Sequence, residues 1–379
     1  MSSDKYIITN IAYGTGPYLR ITDLAMAINE GLAKRGDDGV RIVLPLIYGQ
    51  NQKRVLEQEF GGGTGVLPDA LLLDETLGDL CRRTFYGEES FEHYLSRWAA
   101  NVDEWSDGVN AHLRARYGDD VLFELARAPR LSYDLSPSYY TSFARLSEIH
   151  RRAIGDPDVS IADTLLRTVA SRFEEMEAGY DQAFLVEPGT FGPGEVTDRR
   201  AGSTRWVPPL ATPPHEIPEP TAGRGVYVTV TGIPGLAHLY EEFAEQGYQM
   251  YTNYPDAVPD AIEAPPWVVS RDEIEWHFAR PGWGSIWLSI FTETPLLVPE
   301  WHQEDDLEIY FNTKRLRELG IVTVYRGQSL VELERAGDYA VNRMRDLKDG
   351  ILDRHGTLEG IPLVAQSILT RFLKHRRVE

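Results

Sequence analysis

The sequence predicts an α/β protein of two domains, each a parallel sheet with helices packed over it. Three observations carry this. The chain opens with a strand, a glycine turn, a helix and a second strand; a proline-dense stretch lies past the middle; after it the strand–glycine turn–helix pattern begins again. A length of 379 residues suits two domains better than one.

In the first half, Tyr6–Ala12 reads as a strand, followed by the glycine loop Gly14-Thr15-Gly16-Pro17. A helix is predicted from about Tyr18 to Lys34, with Leu24, Ala27, Ile28 and Leu32 as its apolar stripe and Gly36 ending it. Val40–Pro45 is the second strand. Two strands joined by a helix imply a parallel pair with a right-handed crossover. From Leu67 to Tyr180 the pattern reads as mainly helical, with long stretches at Phe91–Tyr117 and Ile161–Ala178, so a helical insertion is predicted in this domain. Ala183–Glu187 is a further strand.

Pro208, Pro209, Pro213, Pro214, Pro218 and Pro220 crowd the segment 207–222. Proline lacks the N–H and fixes φ, so this segment is neither helix nor central strand and is the predicted linker. The domains are then 1–206 and 223–379, with the last helix a candidate to pack back on the first. Beyond the linker, Gly225–Thr231 is a strand and Leu236–Gln246 a helix. Short strands are predicted at Tyr248–Thr252, Trp267–Val269, Leu296–Val298 and Ile321–Tyr325. The architecture is two Rossmann-like halves joined by a proline-rich hinge.

The charge balance is 38 basic against 58 acidic residues, a net charge of −20. Such a surface repels nucleic acid and anionic membranes and favours solubility, so an anionic ligand has to be held by local donors. The single cysteine, Cys81, excludes an internal disulfide and reads as a small buried apolar residue. The start of the chain carries no signal-peptide core, and no apolar run reaches the roughly 20 residues needed to span a bilayer. The expectation is a cytoplasmic protein that takes small-molecule partners; its oligomeric state is left open.

The stretch richest in chemistry is Arg280-Pro281-Gly282-Trp283-Gly284-Ser285, followed by Thr294–Pro299, the acidic loop Glu300–Glu308 and then Asn312. Gly282 and Gly284 let the backbone come close to a ligand where a helix begins, and Ser285 suits the first turn. The N–H groups and dipole of that helix start make a diphosphate site, to which Arg280 adds a fork of donors.

Gly282-Trp283-Gly284-Ser285 resembles the His-Cys-Gly-Trp-Asn-Ser element in the donor signature of UDP-glycosyltransferases of the GT-B fold. Its interval to Thr294–Pro299, and the order of acidic loop and asparagine-containing helix, are similar to that family. Arg280 in place of the family's histidine looks like the bacterial peptidoglycan N-acetylglucosaminyltransferases. The resemblance spans about Trp267 to Gly320. It implies that Gly282, Gly284 and Ser285, with Trp283 in the same motif, hold a diphosphate. Gln303, Glu304, Asp305, Asp306 and Glu308 would contact sugar hydroxyls. Trp267 or Val268 would lie near the base, and Thr231-Gly232 would form a phosphate-side turn. It also implies a UDP- or TDP-linked sugar as substrate with no cofactor or essential metal. The family's ribose-binding glutamate aligns with Leu288, a departure that leaves the nucleotide open.

On the acceptor side, Gly14, Thr15 and Gly16 lack the third glycine of a dinucleotide fingerprint, since Leu19 stands there. None of the nine histidines lies in this loop, where the family often has a catalytic one. Asp23 is a candidate base or a solvent-facing aspartate, and Tyr48 a candidate acceptor contact or a plain loop residue. Tyr133, Tyr139 and Tyr140 are either acceptor-stacking or core residues. His302 is either a ligand contact or a surface residue, and His277 and Trp276 are predicted near the sheet edge. His93, His112 and His150 lack metal-ligand spacing.

The implied function is glycosyl transfer from a nucleoside diphosphate sugar to an acceptor in the cleft between domains, with Asp23 and Arg280 as catalytic residues. The alternatives are a non-catalytic nucleotide-sugar-binding subunit, or an epimerase or sugar phosphorylase of the same fold.

Overall fold

A computed structural model describes residues 4–12, 14–37, 39–62, 64–87, 89–196, 204–214, 223–229, 236–253, 255–303 and 305–375. The chain divides into two compact units, one of Met1–Leu210 with Gly360–Glu379 and one of Ala211–Glu359.

The first unit runs β1 (Lys5–Ile11), α1 (Thr15–Ala33), β2 (Val40–Pro45), α2 (Gly49–Phe60), β3 (Leu71–Asp74), α3 (Glu75–Arg82) and α4 (Phe91–Arg116). It continues with β4 (Val121–Arg127), β5 (Ser138–Ser142), α5 (Leu146–Ala153), α6 (Asp163–Ala178), β6 (Gln182–Val186) and β7 (Thr204–Val207). Its seven strands lie in the order β3-β2-β1-β4-β5-β6-β7, all pairs parallel. β5 and β6 are buried at every residue, as strands covered on both faces must be.

The second unit runs β8 (Arg224–Val228), α7 (Ala237–Glu245), β9 (Tyr248–Thr252), β10 (Ile262–Glu263), β11 (Ile274–Phe278) and α8 (Trp283–Thr292). Then come β12 (Leu296–Pro299), α9 (Leu307–Leu319), β13 (Thr323–Tyr325) and α10 (Leu330–His355). Its parallel sheet has the order β10-β9-β8-β11-β12-β13. The core on one face joins Val226, Phe243, Trp276, Phe278 and Leu333. The last helix, α11 (Gly360–His375), belongs to the first unit. It packs along α1, where a Cβ on Gly31 would come within 2.3 Å of Leu369, and Phe372 meets Phe123 at 5.2 Å between ring centres.

Both sheets reverse their strand order once, between β1 and β4 and between β8 and β11. The loops that leave the carboxyl ends of strands at such a reversal diverge and open a crevice, which is where open α/β sheets place ligands.

The structure corrects several expectations. β3, β4 and β5 lie inside the stretch read as helical, so the sheet continues through it and the helical elaboration narrows to α3 and α4. Thr15, Gly16 and Pro17 are the first turn of α1 rather than a loop, because proline needs no N–H partner there. Trp267–Val269 sits in a 3₁₀ turn, Pro266–Ser270, not a strand. Val207 ends β7 rather than opening the linker, whose residues 215–222 lie outside the described residues. Trp276 and His277 lie on the interior strand β11, not at an edge.

Candidate functional site

In the second unit, β11 leads through Ala279–Gly282 into α8 at the reversal of strand order. Gly282 is the helix N-cap in extended backbone, with no side chain to cap it. The first intrahelical bond runs from the Ile286 N–H to the Gly282 carbonyl at 3.1 Å. The N–H groups of Gly284 and Ser285 therefore stand before the helical ladder. A Cβ at Gly282 or Gly284 would meet nothing within 4 Å, so the space before the helix is open. Free donors, the positive end of the dipole and open space form an anion-binding geometry.

The turn is held from below. Trp283 is 2% exposed, and its indole N–H donates to the Asn312 side-chain oxygen at 2.9 Å. The Asn312 amide nitrogen donates back to the Pro281 carbonyl at 2.9 Å. Trp283, expected to touch donor, is thus a buried anchor, because the large indole fills the space under the loop. Asn312, fully buried on α9, fixes the turn from across the unit.

Arg280 forms an ion pair with Asp305. The guanidinium is 41% exposed and keeps solvent-facing donors, while the carboxylate also receives the His302 N–H at 3.4 Å. Asp306 caps α9 by accepting the Glu308 N–H at 2.8 Å, which accounts for its carboxylate without a ligand. Glu308 stands in the first turn of α9 and Gln303 is exposed on the loop. Glu304, Thr231 and Gly232 lie outside the described residues.

Trp267 is 44% exposed at the tip of its 3₁₀ turn. The turn is anchored by Val268 and Val269, buried with Tyr227, Tyr251 and Ile274, and Leu288 of α8 packs on the same cluster. An exposed indole on a fixed apolar base suits stacking on a flat ring. His277 is fully buried, with Nδ1 2.8 Å from the Ser289 hydroxyl, and burial pushes its pKa down to about 3. It is a neutral core residue.

In the first unit, the Gly14 N–H donates to the Tyr48 hydroxyl at 2.5 Å, bringing together two candidate acceptor residues. Gly14 caps α1 at φ 109°, a value that favours glycine. Tyr48 also packs on Tyr18 and Phe85, with ring centres at 6.1 and 5.7 Å, while Thr15 and Gly16 are exposed beside it. Asp23 lies more than two turns into α1, farther from the loop than a start at Tyr18 implied. It is ion-paired with Arg20 at 2.6 Å. Burial raises its pKa, Arg20 opposes the rise, Glu59 adds to it, and Arg127 at the end of β4 opposes it again.

The remaining candidates are structural. The Tyr133 hydroxyl lies 3.5 Å from the Cys81 sulfur, both buried. The Tyr140 hydroxyl donates to the Ala144 carbonyl at 3.0 Å, and Tyr139 is buried as well. None of these rings is exposed for stacking. His150 engages the Leu146 carbonyl at 2.8 Å and His112 the Asp74 carboxylate at 2.8 Å.

No family model and no curated protein sequence matches the chain. Its structure is similar to that of the glycotransferase of kitacinnamycin, with a TM-score of 0.60 at 14% identity over 98% of this chain and 100% of that one. It is also similar to Phytolacca americana UGT2 complexed with UDP-2-fluoroglucose and pterostilbene, with a TM-score of 0.61 at 12% identity over 98% and 100%. A third similar structure is the Streptomyces sp. SF2575 glycosyltransferase SsfS6 complexed with thymidine diphosphate, with a TM-score of 0.56 at 13% identity over 96% and 99%. At these identities the likeness lies in the fold, and with its two parallel α/β sheets this chain has the GT-B fold of glycosyltransferases.

Proposed function

We propose that the protein transfers a sugar from a UDP- or TDP-linked donor to an acceptor hydroxyl. The observation that carries this reading is the glycine-capped start of α8, with its open approach and flanking arginine. Structurally similar proteins bind UDP-2-fluoroglucose and thymidine diphosphate, which supports a nucleoside diphosphate as the anion.

In this reading the base stacks on Trp267, and the diphosphate meets the N–H groups of Gly284 and Ser285. As the bond from the anomeric carbon to the diphosphate oxygen breaks, negative charge grows on the leaving group. Fixed donors and Arg280 stabilise that charge more in the transition state than in the ground state. Asp305, Gln303 and Glu308 face the sugar hydroxyls, with Asp305 also holding the Arg280 fork. Asp23 takes the acceptor proton, and Gly14, Thr15, Gly16 and Tyr48 line the acceptor side.

A second reading, a nucleotide-sugar-binding subunit without turnover, is favoured by one observation: Arg280 and Asp23 each already have an ion-pair partner. One experiment separates the two. UDP- and TDP-sugars are titrated calorimetrically and then assayed for hydrolysis and for transfer to a panel of phenolic acceptors. Turnover that is lost in Arg280→Ala supports transfer, binding without turnover supports the subunit, and no binding of any nucleoside diphosphate overturns both.

A further inference from the structure

The amino ends of β5, β6 and β7 lie at the end of their sheet opposite the loops that carry Gly14 and Tyr48. There, α11 and the two outer strands enclose an open groove of about 810 Å³. That is within the roughly 300–1,000 Å³ of small-molecule sites. Its lining includes Gln182, Arg205, Leu363, Ser367, Arg371 and Lys374, and shares no residue with the sugar-transfer reading.

The groove is cationic in a chain of net charge −20. Arg371 and Lys374 have no carboxylate partner among the described residues, and Arg205 spends one N–H on the Ser367 hydroxyl at 2.6 Å. The floor is polar. Gln182 is 6% exposed and lines the groove, yet its side-chain amide has no hydrogen-bond partner among the described residues. Tyr139, in register with Gln182 on the neighbouring strand, has a fully buried hydroxyl without a partner, and so does the Arg371 Nε–H. Burial keeps the phenol neutral with its pKa pushed up to about 12, Arg371 pulls it down, and the Asp181 carboxylate next to Gln182 pushes it up again. The phenol therefore stays a donor at neutral pH.

The buried Tyr139 hydroxyl and Arg371 Nε–H, as donors without acceptors, cost about 1–3 kcal/mol each; the Gln182 amide, which lines the groove, is the neutral donor that an oxyanion there would meet. Exposed Leu363 at the rim supplies apolar surface.

We propose that this groove binds a small organic anion, its phosphate or carboxylate head held by Arg205, Arg371 and Gln182 and its apolar part lying along Leu363. The head matches the forked geometry of two guanidinium groups, and Lys374 adds a point charge at the mouth. Global repulsion disfavours a polyanion or membrane, whereas a small anion feels the local donors.

The test is calorimetric titration of the full chain with phenyl phosphate, benzoate and neutral benzyl alcohol. We expect saturable binding of one anion or both, weakening with salt, and at least about ten-fold weaker binding of benzyl alcohol. The stronger of the two anions identifies the head group. The Arg205→Gln/Arg371→Gln variant should bind at least about ten-fold more weakly. Arg205→Gln alone, at an exposed position, should weaken binding with unchanged thermal unfolding. Arg280→Gln should bind like the parent, which separates this groove from the α8 site. The proposal fails if neither anion binds below about 10 mM, on the order of the weakest specific affinities. It fails equally if the double variant binds like the parent, or if only Arg280→Gln loses binding.

Discussion

Asn312 ties Trp283 to Pro281, accepting the indole N–H at 2.9 Å and donating to the proline carbonyl at 2.9 Å. One side chain thereby fixes both flanks of Gly282. Asn312→Leu would leave a buried indole N–H and a carbonyl unpaired. We expect a loss of about 2–4 kcal/mol in urea unfolding. Nucleoside diphosphate affinity should fall as well, because Asn312 holds the turn that carries Gly282.

The Arg280–Asp305 pair sets two requirements against each other. Arg280→Ala should weaken nucleoside diphosphate binding by about ten-fold. Asp305→Asn releases the guanidinium, so UDP or TDP should bind more tightly while kcat falls. Titration of the diphosphate beside steady-state kinetics reads both. Equal effects of Asp305→Asn on the two would count against the division of labour.

If Asp23 is the base of the proposed transfer it works only when ionised, and burial holds its pKa above the ordinary carboxyl value against the pull of Arg20. Transfer should fall as pH drops through that raised pKa. Arg20→Gln removes an opposing charge, so the acid limb of the kcat profile should move to higher pH. Asp23→Asn should lower kcat by roughly 10²–10⁴ with donor affinity unchanged. An acid limb unmoved in Arg20→Gln would assign it to another group.

Two buried groups give the units opposite responses to pH. Glu124 on β4 accepts from Asn10 at 2.8 Å and Tyr180 at 2.9 Å, and burial pushes its pKa from 4.5 to about 8. Between those values the folded state keeps a proton that the unfolded chain has released, so the first unit loses stability as pH rises. His277 is the reverse. With its pKa lowered from 6.5 to about 3, the second unit loses stability as pH falls through that interval. Hydrogen exchange resolved by segment should show both trends. Glu124→Gln should remove the first, and His277→Gln the second.

Strongly periodic segments were legible in the sequence. β2 and α4 appear where the apolar spacing put them, and β1 and α6 within a residue or two, because each buries a regular stripe. β5, Ser-Tyr-Tyr-Thr-Ser, carries no alternation, since neighbours cover both faces of the strand. β4 hides behind Glu124, a charge-bearing type in a buried strand. Missing β4 also hid Arg127, and with it one of the charges around Asp23. The start of α8 was readable from two glycines and a serine, although the strand before it, β11, was not. The partner of Arg280 was not, because Asp305 lies 25 residues away and meets it only through the fold.

The return of α11 to the first unit bears on how the chain is made. Its residues leave the ribosome after the whole of Ala211–Glu359, yet they complete the unit whose strands emerge before that segment. Until then the α1 face around Gly31 and the Phe123 side of the sheet lack their cover, and Gly360 is not yet seated on the Pro208 and Pro209 carbonyls. The amino-terminal unit therefore waits, with an open apolar seam, through the synthesis of the whole of Ala211–Glu359. Folding of the early half is gated by translation of the late one.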